Sequence, residues 1–362
     1  MSIIIVAVAF ISSIIIMANL FQAKQFTNKA VMNGLLLMMA IPITLLGVLV
    51  VLSSAPNETD TGRAIADVII SSIPSIGFLS VSIVLGIFSI VLIYSKRLRQ
   101  VIQKYVVMSN GQDRRYHADS VVHTLAIILM IFASMNTIGN FILAGGIEGI
   151  AEDLADIGIV DLLTNFLMYI VISLFGVGIF VRRNLARTIK RLGIRLPEKE
   201  NILGWLGQGV KHLLIGTVVG FGMFWVQVGL SVTWQSFVSP ETLAEQSVAA
   251  EAMFTAFSGS LWLGFLLAFT AGVGEELLFR GALQPIFGNI IVSIFFVMLH
   301  SQYILTPASL IILTVSLVFG FLRNHYTTPS AMMAHFVYNF TPFVLISILA
   351  QWGITLESII VF

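Results

Sequence analysis

The chain reads as an all-α, polytopic integral membrane helix bundle with about ten transmembrane helices. Hydrophobic residues make up 57% of its 362 residues and charged residues only 10%, and the mean hydropathy is +0.98. Soluble domains are about a quarter charged, so this chain cannot coat a globule with ionised groups. The same apolar excess is the opposite of a disordered composition. Nineteen Lys and Arg against 18 Asp and Glu leave a net charge of +1, which argues against a nucleic-acid partner. With no cysteine, disulfides, a thiolate nucleophile, thiolate-bound zinc and a prenylation site on the chain are excluded.

A hydrocarbon core ~30 Å thick needs about 20 apolar residues at 1.5 Å each. Such stretches fall at 2–20, 34–54, 72–95, 121–145, 159–181, 210–234, 258–284, 289–305, 307–325 and 330–350. The first lacks a basic leader and a small-residue cleavage site, so it reads as a mature span and not as a signal peptide. The connections alternate in charge. Lys24 and Lys29 follow the first span, Lys96 to Arg115 the third, and Arg182 to Lys199 the fifth. Between them, 147–158 carries Glu148, Glu152, Asp153 and Asp156, and 235–257 carries Glu241, Glu245 and Glu251, with neither Lys nor Arg in either. The positive-inside rule makes the basic loops cytoplasmic and puts both termini outside. The basic segment 182–209, with Gly193, Pro197 and Gly204, divides a five-helix N-terminal region, 1–190, of unassigned role from a five-helix core, 191–362.

Ionisable groups within apolar spans are costly and mark function by default. Asp67, Asp161 and His123 lie near span ends and read as capping or interfacial residues. The C-terminal half differs: Glu275, Glu276 and Arg280 share one span, His300 lies on the next, and His335 with Asn339 on the last. Glu276 and Arg280 are four apart on one helical face, so each lowers the other's burial cost. Glu275, rotated by about 100°, is less neutralised, the setting of a general base. His335 and Asn339, also four apart, aim an imidazole and an amide at one point, and Phe296 precedes His300 by the same interval. A helical hairpin turning near Gly288 brings Glu275 and His300 to equal depth, ~18–20 Å from the turn. Counted from Leu261, Glu275 lies ~21 Å down, and His335 lies ~8 Å beyond Ser330, which predicts one pocket opening toward the cytoplasm.

Glu275-Glu276-x-x-x-Arg280, Phe296-x-x-x-His300 and His335-x-x-x-Asn339, in that order on successive spans, resemble the signature of the CAAX protease and bacteriocin-processing family. These are intramembrane endopeptidases and include the CAAX prenyl endopeptidases. The resemblance covers roughly 190–350 and begins with Leu192-Gly193-Ile194-Arg195-Leu196-Pro197. It implies that Glu275, assisted by His300, activates water, that Glu276, Arg280 and Phe296 organise the site or contact substrate, and that His335 and Asn339 stabilise an oxyanion. It implies no cofactor and no metal, a peptide or protein substrate, with prenylated CAAX peptides one option, and the lipid bilayer as surroundings. The Ile-rich spans and the lack of a eukaryotic targeting signal suggest a prokaryotic plasma membrane.

Two other readings use the same residues. Glu275, His300 and His335 could form a two-histidine, one-glutamate zinc site with an open position for water, although no His-Glu-x-x-His is present. A proton-coupled transporter would also bury Glu, Arg and His, but here those groups crowd into one half of the chain. Taken singly, Arg280 could snorkel to the interface, Asn339 could pack helices, and His325 reads as a loop residue.

Overall fold

The computed structural model describes residues 2–54, 65–105, 116–194, 202–303 and 306–352. The basic residues Arg114, Arg115, Arg195 and Lys199 fall outside them. The described residues form helices joined by short connections, as the composition predicts. The N-terminal region runs α1 (Ser2–Gln22), α2 (Lys29–Ser53), α3 (Ile65–Tyr94), α4 (Lys96–Tyr105), α5 (Val121–Leu143), α6 (Ile147–Ala155), α7 (Ile159–Gly176) and α8 (Leu185–Arg191). Short polar side chains mark the starts. Asn28 accepts from the Val31 amide at 3.1 Å, and Ser120 from that of His123 at 3.3 Å, each satisfying a donor the helix leaves open. Asp161 accepts from the Gly158 amide at 3.0 Å, the capping role its place at a span end suggests. Asp67 lies where no side chain is described.

The core continues with α9 (Ile202–Gln235), α10 (Pro240–Ser258) and α11 (Leu261–Glu276), then a π-helical segment (Leu277–Leu283) and α12 (Gln284–Phe287). It ends with α13 (Asn289–Met298), a 3₁₀ turn (Ser301–Tyr303), α14 (Ala308–His325) and α15 (Thr328–Gln351). Among the described residues nine helices are long and apolar enough to cross a membrane. The eighth expected span, 289–305, is corrected. Its helix has 10 residues, only ~15 Å, and His300 follows on a turn before the 3₁₀ segment. Asn289 starts this piece beside α14, donating to the Leu317 carbonyl at 2.8 Å, and Tyr303 ends it. The chain therefore makes the return in two pieces, with non-helical backbone beside a cavity, where such backbone is tolerated at membrane depth. Helix α10 occupies the connection 235–257, which its hydropathy does not mark as a span. Ser239 caps it, Pro240 opens it, and Ala, Glu and Met, all strong helix formers, fill it.

Helix α15 lies between α9 and α11, and close backbone approach makes this possible. A Cβ on Gly220 would collide with the Ala334 carbonyl, and one on Gly272 would sit 2.8 Å from the Phe336 amide nitrogen. Small residues at helix contacts of this kind are the normal device of membrane bundles. Outward faces are apolar, with Val84, Leu214 and Val218 among the most exposed, as side chains facing lipid should be. The two ends of the bundle differ. At the base-poor end α6 packs on α10, and both reach the 3₁₀ turn. At the basic end Arg191 donates to the carbonyls of Gly281 and Ala282 at 3.0 and 3.3 Å. There the Thr328 hydroxyl also donates to the Leu192 carbonyl at 2.5 Å.

Candidate active site

Glu276 and Arg280 are both fully buried. Arg280 Nε donates to Glu276 Oε2 at 3.0 Å, and His335 Nδ1 lies 3.0 Å from Glu276 Oε1. The guanidinium also donates through Nη2 to Ser316 Oγ at 2.6 Å and reaches Gln284 Oε1 at 3.5 Å. Gln284 in turn donates to the Gly320 carbonyl at 2.8 Å and to Asn324 Oδ1 at 2.9 Å. The chain of contacts ties α11, the π segment, α14 and α15 together through one guanidinium. An arginine stays protonated, so its partner must be the carboxylate. That carboxylate accepts from His335, which places the imidazole proton on Nδ1. The π segment begins directly after Glu276. Such bulges recur at functional sites, and nothing in the spacing announced this one. The snorkelling alternative for Arg280 is overturned, since the side chain points into the bundle and not to the interface.

Glu275, Phe296, His300, His335 and Asn339 all line one cavity of about 210 Å³. Oε2 of Glu275 is enclosed there and has no hydrogen-bond partner among the described residues. The two adjacent glutamates thus have opposite environments, because a one-residue step on a helix turns the side chain to another face. His300 Nδ1 lies 2.7 Å from the Phe296 carbonyl. A carbonyl can only accept, so this nitrogen carries the proton, and in the neutral ring Nε2 keeps a free lone pair. Phe296 packs against the His300 ring at 4.3 Å between centroids, and the Arg280 guanidinium lies 5.7 Å from the Phe296 centroid. It therefore sets the distance between the buried ion pair and the second motif. Asn339 leaves its amide on the cavity wall one helical turn from His335. His325, at the end of α14, stacks on Phe321 at 3.8 Å and is remote from the lining.

The structure adds residues that motif spacing could not supply. Asn165, Phe166 and Tyr169 of α7, from the N-terminal region, form one wall, and Tyr303 and Tyr338 form another. No local signal marks the α7 residues, because their position depends on contacts with α11 more than a hundred residues away. Gln284 was findable, being a polar residue one turn past Arg280 in an apolar span, and Ser316 was not. From Glu275 the lining runs along α11 to Thr270 and Leu267, and outward to Leu162 and Met253. It therefore extends toward the base-poor end. Among the described residues no three His, Asp or Glu side chains gather as a metal-binding set, so the zinc grouping of Glu275, His300 and His335 is not assembled.

Residues 257–341 match the family model described as type II CAAX prenyl endopeptidase Rce1-like. No curated protein and no solved structure matches the chain. The matched segment contains all of the residues that form the buried ion pair and the polar wall of the cavity named by the sequence motifs. The segment that carries those residues is thus similar to the Rce1-like type II CAAX prenyl endopeptidases, in support of the resemblance to the CAAX protease and bacteriocin-processing family.

Proposed function

We propose that the protein is an intramembrane endopeptidase that hydrolyses peptide bonds with a water activated by Glu275. One observation carries this reading: of two adjacent glutamates, Glu276 is saturated by Arg280 and His335, while Glu275 presents an unpartnered oxygen to the cavity. Glu275 removes a proton from water as the water oxygen attacks the peptide carbonyl carbon. The free Nε2 of His300 accepts the second water hydrogen and orients the nucleophile. Charge developing on the carbonyl oxygen is met by the Asn339 amide and by His335 when its Nε2 is protonated. Collapse breaks the C–N bond, and the proton held by Glu275 passes to the departing nitrogen. Glu276 and Arg280 contribute by holding His335 in one orientation, and Phe296 by spacing it from His300.

No step calls for a metal. The substrate is a peptide or a membrane-associated protein, with prenylated CAAX-type chains one class to test. We keep the division into 1–190 and a catalytic core at 191–362, with α7 of the first supplying a wall to the second. A prokaryotic plasma membrane fits the composition. The deciding experiment incubates purified protein, and a Glu275→Gln control, with farnesylated and plain peptides. Cleavage by the wild type and not by the control supports the reading. Intact peptides in every arm, with substrate flux measured in vesicles, would turn it toward a transporter.

A further inference from the structure

A second cavity, of about 150 Å³, lies between α9, α10, α11 and α15. Met253, Leu267, Tyr303, Tyr338 and Asn339 line both this cavity and the first, so the two are neighbours across a shared wall that includes a residue assigned to the oxyanion. A peptide lying across Glu275 and His300 would bring a side chain close to the bond cleaved to this second space. Its lining is mostly apolar, with Phe224, Phe254, Phe343, Met253 and Leu267. The Tyr338 hydroxyl donates to Gln227 Oε1, so those two polar groups largely satisfy each other.

One group in the lining is ionisable with an acidic side chain: Glu251 of α10. Its Oε1 accepts from the Ser247 hydroxyl one turn earlier, and Oε2 has no hydrogen bond among the described residues. No cation pairs with it among them either. Glu251 is partly exposed, so water reaches its second oxygen, and a cation is the charge that a ligand would best bring to this otherwise apolar lining. The surroundings supply none: segments 147–158 and 235–257, which pack together over this end, contain neither Lys nor Arg. A space of ~150 Å³ holds a group about the size of benzene. That suits one side chain.

We propose that this cavity is a side-chain subsite of the endopeptidase and that Glu251 makes it select a Lys or Arg adjacent to the bond cleaved. The aliphatic stem would pack on the apolar lining while the cationic head meets the carboxylate, the division of labour long basic side chains show elsewhere. The inference rests on the endopeptidase reading above, and its test separates the two.

Quenched-fluorescence peptides carrying Lys, norleucine or Glu at the positions flanking the scissile bond would be given to wild type, Glu251→Gln and Glu251→Lys. Wild type should favour Lys over norleucine at one position by about tenfold or more in kcat/KM, the scale of losing a desolvated charge partner. Glu251→Gln should flatten the preference, and Glu251→Lys should shift it toward Glu, with melting temperatures confirming that the variants fold. In parallel, anisotropy would read the binding of the same peptides to Glu275→Gln, alone and combined with Glu251→Gln. A Lys preference in binding that needs Glu251, with no cleavage by wild type, would retain the subsite and discard the peptidase. Equal treatment of all three peptides by wild type, in both cleavage and binding, would overturn the subsite.

Discussion

His335 Nδ1 and Glu276 Oε1 lie 3.0 Å apart in the interior of the bundle, with Arg280 at the same distance from the other oxygen of that carboxylate. Glu276 is thereby committed on both sides. It can orient His335, but it has no lone pair in a position to take a proton from water without releasing one of these partners. The adjacent Glu275 has the opposite arrangement, and the two should respond to the same substitution in opposite ways.

Glu275→Gln keeps shape and hydrogen-bonding capacity but cannot accept the water proton. Turnover should fall by a factor of ~10²–10⁴ with the melting temperature nearly unchanged. Glu276→Gln leaves Arg280 buried beside a neutral amide, and breaking a buried pair costs about 3–5 kcal/mol. Thermal unfolding in detergent, read beside peptide cleavage, distinguishes the two. Equal melting temperatures for both variants would refute the assignment of Glu276 as the structural member.

Asn339→Leu removes one donor from the proposed oxyanion site. The expected loss is ~10²–10³ in kcat with little change in KM. If Asn339 only packs helices, the melting temperature should drop and kcat should hold.

Activity should survive exhaustive treatment with a strong chelator, since every step is assigned to side chains. Stoichiometric zinc in active protein, with activity lost on its removal and restored by its return, would make the enzyme a metalloprotease.

Gly220→Ala forces a methyl group onto the Ala334 carbonyl, which backbone cannot avoid by a rotamer change. The α9–α15 contact should open at a cost of about 1–3 kcal/mol. Because Ala334 precedes His335, cleavage should decline along with the melting temperature. A variant as stable as wild type would show that α9 and α15 can separate freely.

Sidedness is testable because the chain has no native cysteine. In intact cells, exposed Glu245→Cys on α10 should react with an impermeant maleimide, and exposed Lys190→Cys on α8 should react only after lysis. The reverse pattern would invert the orientation.

Much of this molecule is legible in one dimension. Apolar runs long enough to cross a bilayer identify most spans, because a backbone in hydrocarbon must satisfy its own hydrogen bonds and so must be helical. The same economy makes Glu275, Glu276, Arg280, His300 and His335 conspicuous, since an ionisable group in such a run needs a reason to be there. The turn near Gly288 is also readable, and its φ of +83° is the conformation glycine adopts without steric cost. The 289–305 segment misled because hydropathy records composition and not where a helix stops.

What lay beyond the sequence is which glutamate is free, where the cavity leads and what else lines it. Spacing along a helix placed Glu276 near Arg280, but the third partner, His335, comes from a helix 59 positions away. Tyr169 reaches the cavity wall from the other half of the chain, and Glu251 reaches its neighbour from a segment that hydropathy does not mark as a span. Local pattern reports the cost of burying a side chain, which is set by its own chemistry. The partner that offsets that cost is set by how helices pack, through close approaches such as Gly220 on Ala334 and Gly272 on Phe336, and these exist only once the chain has folded.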